Sequence, residues 1–416
     1  MNTSTPQETA HASPLAHELG AHFPELARFR STKELEASPL YARLRPEVER
    51  VLNGVERGDF TRGRACEASN AGAIRATAWN VERGTRLEGV VRVLTEHPLM
   101  SESDVLLLTE LDYGMARSGN LHVTRELARA LGAAYAFAPC YINLSKGSGL
   151  ESGAEGENGL ALHGNAVLSR LPILRAWSVA LPNGKDKMKG NEKRLGSQRA
   201  VVCDVEHPSG VLRAVSLHLD AHSSQRHRRR QMKVVLDFLE TLEPRAPVLV
   251  GGDWNTSTYD SSRAVYSIAG FFRRVLMGVG NVMENHYLQP DRWFERGLFR
   301  ELGARGFDFK ELNEPGAGTL HYDVKDLAAN TNMGEWVPRW CFWWIEWALR
   351  DHGGRCSLKL DWFAGRGLEP DSSNPPRVVG YLRGPSGEVL SDHDPVVLDF
   401  TLRAAREAVP SAKESR

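Results

Sequence analysis

Short apolar runs bounded by turn-forming residues recur from residue 73 almost to the C-terminus, and this pattern predicts β-strands. Some runs alternate apolar and polar residues, as in VLRAVSLHL, which is typical of a strand covered on one face. Others are apolar throughout and should be buried on both faces. The predicted strands lie in AIRATAWNV, SDVLLLTEL, GNAVLSR, RAVVCDVE, VLRAVSLHL, APVLVGGDW, SLKLDWFA and DPVVLDFTL.

Helical periodicity falls between these strands. Apolar residues three or four positions apart predict helices in TRLEGVVRVLTEH, in NLHVTRELARALG and in SSQRHRRRQMKVVLDFLETL. Because strands and helices are interleaved, two stacked sheets flanked by helices fit the pattern best. The predicted fold class is therefore α/β.

The chain divides into a main unit with additions at both ends and in the middle. Helical patterning before residue 60 predicts a partly helical N-terminal extension, with its first 14 residues disordered. In the aromatic insert, Trp340, Trp344 and Trp347 share one helical face. This predicts a core helix, with a membrane-surface or substrate-stacking role as the alternative. The predicted divisions are 1–72 for the extension, 73–403 for the catalytic unit, about 256–357 for its insert and 404–416 for a disordered tail.

Charge and cysteine content narrow the function classes. Lys plus Arg equals Asp plus Glu at 52 each, which argues against a protein that coats nucleic acid through bulk charge. The five cysteines are too sparse for a disulfide framework and contain no zinc-type pair. We find no signal-peptide pattern and no apolar stretch of membrane-spanning length. These features predict a cytoplasmic protein with no transmembrane segment, and no obligate protein partner is evident.

Polar residues follow the predicted strands at the points where the strands end. Asp253 and Asn255 are two positions apart, so on an extended chain they face one ligand together. Buried carboxylates need a cation, a positive partner or a proton. Oxygen donors without cysteine indicate Mg²⁺, Mn²⁺ or Ca²⁺ rather than zinc. The strand-end residues are Asn80, Glu82, Glu110, His218, Asp220, Asp253, Asn255, Asp361, Asp392 and His393.

The motifs WNVERG, TELD, GNAVLSRLPI, SLHL, GGDWN, LDWF and SDHDPVV stand in this order along the chain. Together they resemble the endonuclease/exonuclease/phosphatase superfamily, which has the DNase I-like fold, over about residues 73–402. The resemblance implies a four-layered αββα sandwich of two mixed sheets, with the site at one end of the sheets. TELD lacks the glutamine that many relatives carry before the glutamate. The segment of about 100 residues between GGDWN and LDWF is unusually long, and we expect substrate choice to depend on it.

The resemblance implies a metal site and a support for it. Asn80 and Glu110 would bind the metal ion, Glu110 being the principal ligand, and Asp392 would support them. The ion would be Mg²⁺, with Mn²⁺ as an alternative. Arg199 and Asn165 would support the site or the substrate.

The resemblance also implies the catalytic residues. Asp253 would orient or activate the attacking water, and Asn255 would hold the phosphoryl group. His393 and Asp361 would form an Asp–His pair, in which the carboxylate orients the imidazole and the ring accepts a proton. His218 would stabilise the pentavalent phosphorus.

The sequence thus predicts a phosphoester hydrolase that uses metal-activated water, either a phosphodiesterase or a phosphatase. Its substrate would be a phosphorylated small molecule, a nucleic acid or a lipid headgroup. The alternatives are a nuclease acting on DNA and a non-catalytic phosphate-binding module that retains the fold. A basic loop, Lys185–Arg194, precedes the strand of Arg199 and would overhang the site. We expect Glu82 to be solvated or structural, and Arg228 and Gln231 to be structural.

Overall fold

A computed structural model gives the fold of most of the chain. The predictions for the disordered ends and for Trp340 and Trp344 concern segments outside the part that the structure describes. The described residues are 14–61, 72–190, 192–221, 223–258, 269–270, 272–274, 276–323, 347, 349–350 and 353–403.

Sixteen strands form two large sheets and one small pair. They are β1 (Glu56–Asp59), β2 (Ala73–Arg83), β3 (Val105–Tyr113), β4 (Ala134–Asn143), β5 (Leu162–Ser169), β6 (Ile173–Ala180), β7 (Arg194–Gly196), β8 (Arg199–His207), β9 (Gly210–Ser216), β10 (Val248–Asp253), β11 (Leu320–Asp323), β12 (Arg355–Leu358), β13 (Asp361–Arg366), β14 (Leu368–Pro370), β15 (Arg377–Val378) and β16 (Val396–Leu402).

Both large sheets mix parallel and antiparallel pairs. The first has nine strands in the order β1-β4-β5-β3-β2-β16-β14, with β7 beside β4 and β15 beside β16. Among its described strands, β2 and β3 form the one parallel pair. The second sheet has five strands in the order β13-β10-β9-β8-β6, and there β9 and β10 are parallel. Strands β11 and β12 pair separately within the insert.

Helices begin and end at residues with suitable capping chemistry. The Ser38 hydroxyl accepts the Tyr41 N–H at the start of α3, and Ser224 accepts the His227 N–H at the start of α6. Gly132 ends α5 in the left-handed conformation that glycine adopts without strain. The helices are α1 (Phe23–Leu26), α2 (Thr32–Glu36), α3 (Pro39–Asn53), α4 (Leu87–Glu96), α5 (Val123–Leu131), α6 (Gln225–Thr241), α7 (Val279–Asn281), which continues as a π-helix over Val282–Tyr287, and α8 (Arg296–Ala304).

Three apolar cores separate four layers. Leu107 of the nine-stranded sheet and Phe363 of the five-stranded sheet are buried in the core between the sheets. Helices α4 and α5 cover the outer face of the first sheet, and α6 and α8 cover the outer face of the second. The predicted α/β sandwich of two mixed sheets flanked by helices is confirmed.

The N-terminal segment is built into this sandwich. Leu15, Leu26 and Val51 are buried in the same outer core as Phe137 of β4. Strand β1 also pairs with β4 at the edge of the nine-stranded sheet. The N-terminal helices therefore pack on the outer face of the nine-stranded sheet. The domain boundary at residue 72 stays a prediction.

The described part of the insert has a small core of its own. Met283, Tyr287, Leu320 and Leu358 are buried there. Helix α8 instead joins the outer core that α6 forms with the five-stranded sheet. Within the described segments, no helix combines the length and apolar character that crossing a membrane requires.

Candidate active site

Two strands from each sheet bring the predicted site residues together. Asn80 lies near the end of β2, and Glu110 lies on the adjacent parallel strand β3. Asp253 ends β10 and pairs in register with Asp361, the first residue of β13. Because β10 packs against β2 and β3 across the sandwich, all four side chains reach the same end of the two sheets.

The backbone at these strand ends departs from regular β geometry. The pairing register shifts between Asn80 and Arg83 and again between Leu108 and Leu111. Glu110 has φ 57° and Asn255 has φ 50°, values that non-glycine residues seldom adopt. Bulges of this kind redirect side chains, and strained residues concentrate at functional sites. The irregular backbone therefore turns both side chains out of the normal strand alternation.

Asp253 is the centre of the cluster. Its Oδ2 atom lies 3.2 Å from Asn80 Nδ2, 3.1 Å from Asn255 Nδ2, 3.3 Å from His218 Nε2 and 3.7 Å from His393 Nε2. Burial raises the pKa of Asp253, although the two histidines oppose this shift. A buried carboxylate contacted by several donors is suited to hold a proton or a water molecule in a defined position.

Asp361 and His393 form the predicted Asp–His pair. The Asp361 Oδ2 atom lies 2.7 Å from His393 Nδ1, and both side chains are buried. Burial acts to lower the pKa of His393, but the carboxylates of Asp361 and Asp253 outweigh it and hold this pKa well above its ordinary value. The Trp79 indole N–H donates to the His393 carbonyl at 2.9 Å, which fixes the backbone of the histidine.

Glu110 is the carboxylate best placed to hold a cation. Its side chain is 22% exposed, and its Oε1 atom lies 3.1 Å from Asn80 Nδ2 and 4.0 Å from His218 Nε2. Burial acts to raise the pKa of Glu110, but the positive charge of Arg83 and the neighbouring His218 bring it well below the ordinary value. Glu110 is therefore ionised. Asn80 directs its amide nitrogen toward Glu110, while its Oδ1 accepts the Glu82 N–H at 3.0 Å.

The donor set fits a divalent cation that prefers oxygen ligands. Two groups have their ligand atoms within 4.8 Å of one another: Glu110, His218 and Asp253, and also Asp253, Asp361 and His393. The buried Oδ1 atom of Asp361 accepts no hydrogen bond from the residues that the structure describes, so it has unused capacity for a cation or a donor. Ionised carboxylates without a cysteine among them suit Mg²⁺ or Mn²⁺.

Asp392 and Glu82 flank this donor set. Asp392 is exposed and belongs to neither group. Glu82, which we expected to be solvated or structural, is partly buried. Burial, followed by the charge of Asp392, raises the pKa of Glu82 to about 7. Burial and the charge of Asp392 thus make Glu82 hold its proton more readily than an ordinary glutamate does.

A family model described as the Endonuclease/Exonuclease/phosphatase family matches residues 77–393. The chain belongs to this family. Its members are phosphoric ester hydrolases. The matched residues begin within β2 and end at His393, so the match includes every residue of the cluster described above. A search of curated proteins finds no match.

Several solved structures are similar to this chain but share little sequence with it. An endonuclease/exonuclease/phosphatase from Beutenbergia cavernae is 17% identical, with 80% of this chain and 72% of that chain covered and a TM-score of 0.45. A humanized D. rerio TDP2 is 16% identical, with 79% and 99% covered and a TM-score of 0.41. A 3′-5′ exonuclease from Neisseria meningitidis is 15% identical, with 79% and 100% covered and a TM-score of 0.44.

The two predicted supporting residues of this family member have different surroundings. Asn165 Oδ1 accepts the Glu110 N–H at 3.4 Å, and its Nδ2 donates to the Arg199 carbonyl at 2.7 Å. Asn165 thus connects the backbone of Glu110 to the five-stranded sheet. The Arg199 guanidinium donates to Asn53 at 2.8 Å and to Ser178 at 3.1 Å. It therefore contacts α3 and β6 rather than the catalytic cluster.

Sequence reasoning missed a charged network on the other side of Glu110. Asp112 accepts both ends of the Arg117 guanidinium, at 2.8 and 3.0 Å, and lies 2.8 Å from His163 Nδ1. Arg117 also pairs with Glu151 at 3.1 Å. Asp112 lies in the TELD motif two positions after Glu110, but the bulge between Leu108 and Leu111 interrupts the strand alternation, so the local pattern alone does not connect it to the site. Arg117 and Glu151 lie in connecting segments, and only the tertiary fold brings them to the site.

Proposed function

We propose that this chain hydrolyses a phosphate ester with a metal-activated water molecule, without a covalent enzyme intermediate. The observation that carries this proposal is the arrangement around Asp253. One of its oxygens lies between 3.1 and 3.7 Å from Asn80, His218, Asn255 and His393. Such a convergence of buried acid, base and donor groups suits in-line displacement at phosphorus.

The metal site in this proposal consists of Glu110, Asn80 and Asp392. Glu110 supplies an ionised carboxylate, and Asn80 would turn its amide to present oxygen. Mg²⁺ or Mn²⁺ bound there would neutralise phosphoryl oxygen charge and orient the substrate. Asn165 holds the Glu110 backbone in place, because its Oδ1 atom accepts the N–H of Glu110.

The protein groups manage the protons and the phosphoryl oxygens. Asp253 orients the attacking water and accepts its hydrogen bond. Asp361 keeps the His393 ring in one orientation and stabilises its charged form, so that His393 shares the proton released by the water. His218 and Asn255, whose side-chain nitrogens are 2.9 Å apart, bind the phosphoryl oxygens. General acid–base groups of this kind each contribute about 10²–10⁴-fold to the rate.

The substrate class stays open within the phosphoesters. A phosphorylated small molecule, a nucleic acid and a lipid headgroup all fit a site that binds the phosphoryl group itself. A nuclease acting on DNA and a non-catalytic phosphate-binding module are the alternatives. A cytoplasmic location belongs to this proposal because cysteines are few and Cys140, Cys203 and Cys356 are free.

A substrate panel tests the proposal. Plasmid DNA, an abasic oligonucleotide, inositol phosphates, sphingomyelin and bis(p-nitrophenyl) phosphate are each incubated with Mg²⁺, with Mn²⁺ or with EDTA. We expect activity that requires metal and is lost in Asp253→Ala and in His393→Ala. Asp237→Ala serves as the control, because Asp237 lies on the outer helix α6 with half of its side chain exposed.

The outcome separates the candidates. Activity on one substrate class identifies that class. Inactivity on the whole panel, together with binding of inorganic phosphate, supports the non-catalytic module. Activity that survives both active-site substitutions contradicts the proposed mechanism.

A further inference from the structure

The basic loop, Lys185–Arg194, which the structure describes apart from residue 191, lies between the N-terminal segment and a group of three residues. This group, called the floor of the site, consists of Tyr141, His163 and Asp220. Five of its residues are basic: the lysines at 185, 187, 189 and 193, and Arg194. The loop follows β6 of the five-stranded sheet, and its last residue begins β7, which pairs with β4 of the nine-stranded sheet. The loop therefore connects the two sheets.

Two anchors attach this loop to the N-terminal segment. Thr32, the first residue of α2, donates its hydroxyl to Asp186 Oδ1 at 2.6 Å and its N–H to the same carboxylate at 3.1 Å. The Lys193 ammonium donates to the carbonyls of Ala27 at 2.5 Å and Phe29 at 2.8 Å. These carbonyls follow α1, where helical partners are lacking. The N-terminal segment thus holds the loop close to both of its ends.

The opposite side of the loop reaches the floor beside the catalytic cluster. The Lys187 ammonium lies 2.8 Å from Asp220 Oδ1 and 5.5 Å from the centre of the Tyr141 ring. The Arg194 guanidinium lies 4.8 Å from the same ring. Tyr141 is nearly parallel to the neighbouring His163 ring, at 18° and 6.4 Å between centroids.

This floor adjoins the proposed catalytic residues in sequence and in space. His163 bonds to Asp112, which is two positions from Glu110 on β3. Asp220, which holds Lys187, is two positions from His218. Lys187 and Arg194 therefore lie on the side of the site that His163 and Asp220 form, next to the strand segments of Glu110 and His218.

Lys187 and Arg194 retain donors for such a substrate. Their side chains are 19% and 30% exposed, and among the described ion pairs each has one carboxylate partner. An ammonium group has three donors and a guanidinium five, so neither is saturated by one carboxylate. Both are thus available to an anionic or hydrogen-bond-accepting group outside the scissile phosphate.

We propose that the N-terminal segment, residues 14–53, is a positioning element that holds the basic loop in place, so that Lys187 and Arg194 bind the part of the phosphoester beyond the scissile phosphate. The substrate half of this inference rests on the proposed function. The positioning half does not, since it concerns only the conformation of the loop. Thr32 and Lys193 are positioning residues in this account, and neither contacts the catalytic cluster.

Hydrogen exchange of the full-length protein tests the positioning. The variant Thr32→Val/Lys193→Met removes the hydroxyl and ammonium donors but keeps similar side-chain volumes. We expect the loop amides to exchange about tenfold faster, because hydrogen bonds to charged groups are lost, while β2, β3 and β10 keep wild-type protection. The matched control is Thr95→Val/Lys189→Met. It removes the same groups from an exposed helix position and from an exposed position of the same loop.

Lys193→Arg provides a second check, because it keeps donors for the Ala27 and Phe29 carbonyls. It should exchange much more like the wild type than Lys193→Met does. Equal exchange in the double variant and its control would overturn the positioning role, whether or not the protein hydrolyses any substrate.

Steady-state kinetics on the most active substrate of the panel tests the substrate half. We expect the double variant to raise KM about three- to tenfold with kcat within about twofold, because binding is weakened while the catalytic cluster is intact. Lys187→Met should likewise raise KM with little change in kcat, but it should leave the exchange of the other loop amides as in the wild type. Faster loop exchange with an unchanged KM would overturn the assignment of Lys187 and Arg194 to substrate binding. A panel without activity would refute the proposed function and leave the exchange result to decide the positioning role alone.

Discussion

Asp361→Asn isolates the contribution of the Asp–His pair. The substitution keeps the size and shape of a fully buried side chain whose Oδ2 atom lies 2.7 Å from His393 Nδ1. It removes the charge that helps to hold the pKa of His393 above its ordinary value. An asparagine amide directed at Nδ1 would also favour the tautomer with its proton on Nε2, which cannot accept another from water.

The magnitude follows from these two losses. A hydrogen bond to a charged group contributes about 1.5–3 kcal/mol, which corresponds to about 10- to 100-fold in rate. Loss of the proton-accepting tautomer brings the expected decrease in kcat to about 10²–10⁴-fold. Stability should respond differently. Loss of the pairing with His393 costs stability, but the charge of Asp361 also contributes to raising the pKa of Asp253, so removing it relieves repulsion and offsets part of that cost.

The assay pairs kcat at saturating Mg²⁺ with thermal unfolding in EDTA. We expect a large loss of kcat together with a Tm close to that of the wild type, because the two effects on stability oppose each other. A kcat within about tenfold of the wild type would refute the Asp–His pair as a proton-handling group. A Tm that falls in parallel with kcat would show that the substitution acts through folding.

Three further predictions concern the metal site and the network beside it. Glu110→Gln should abolish the rise in Tm that Mg²⁺ produces in the wild type, because it removes the ionised carboxylate; an undiminished rise would contradict this. The same rise should be larger at about pH 8 than at about pH 6, because burial raises the pKa of Glu82 to about 7 and protonation of this neighbouring carboxylate at the lower pH weakens the attraction for Mg²⁺; calorimetric titration should show proton release, and a pH-independent affinity would contradict the assignment. Arg117→Met should lower the free energy of unfolding by about 3–5 kcal/mol in denaturant titrations, because it leaves the buried Asp112 carboxylate without its bidentate partner; a loss below about 1 kcal/mol would contradict that role.

The strand-end motifs made most of the cluster predictable. Apolar runs followed by Asn80, Glu110 and Asp253 indicate that polar groups collect where buried strands end, and the order of the motifs supplied the pairing of Asp361 with His393. Strand register then determines the contacts, as in the direct pairing of Asp253 with Asp361. These features are local or periodic, so a single sequence contains them.

Other parts of the site depend on contacts between distant segments. Arg199 was expected to support the site or the substrate, and its guanidinium reaches Asn53, which is 146 positions away on α3. Thr32 and Asp186 are 154 positions apart, and nothing in either segment signals the other. The left-handed conformation of Glu110 likewise results from a bulge that depends on its partner strand. Such features follow from tertiary packing rather than from local pattern.

The most direct test of the proposed chemistry is a single-turnover hydrolysis in water labelled with heavy oxygen, with enzyme in excess over the substrate identified by the panel. Attack by water predicts that the first turnover already places the label in the phosphorus-containing product, only when Mg²⁺ or Mn²⁺ is present, and not in Asp253→Ala. An unlabelled first-turnover product would indicate attack by a protein carboxylate and a covalent intermediate, and labelled product formed in EDTA would contradict metal activation.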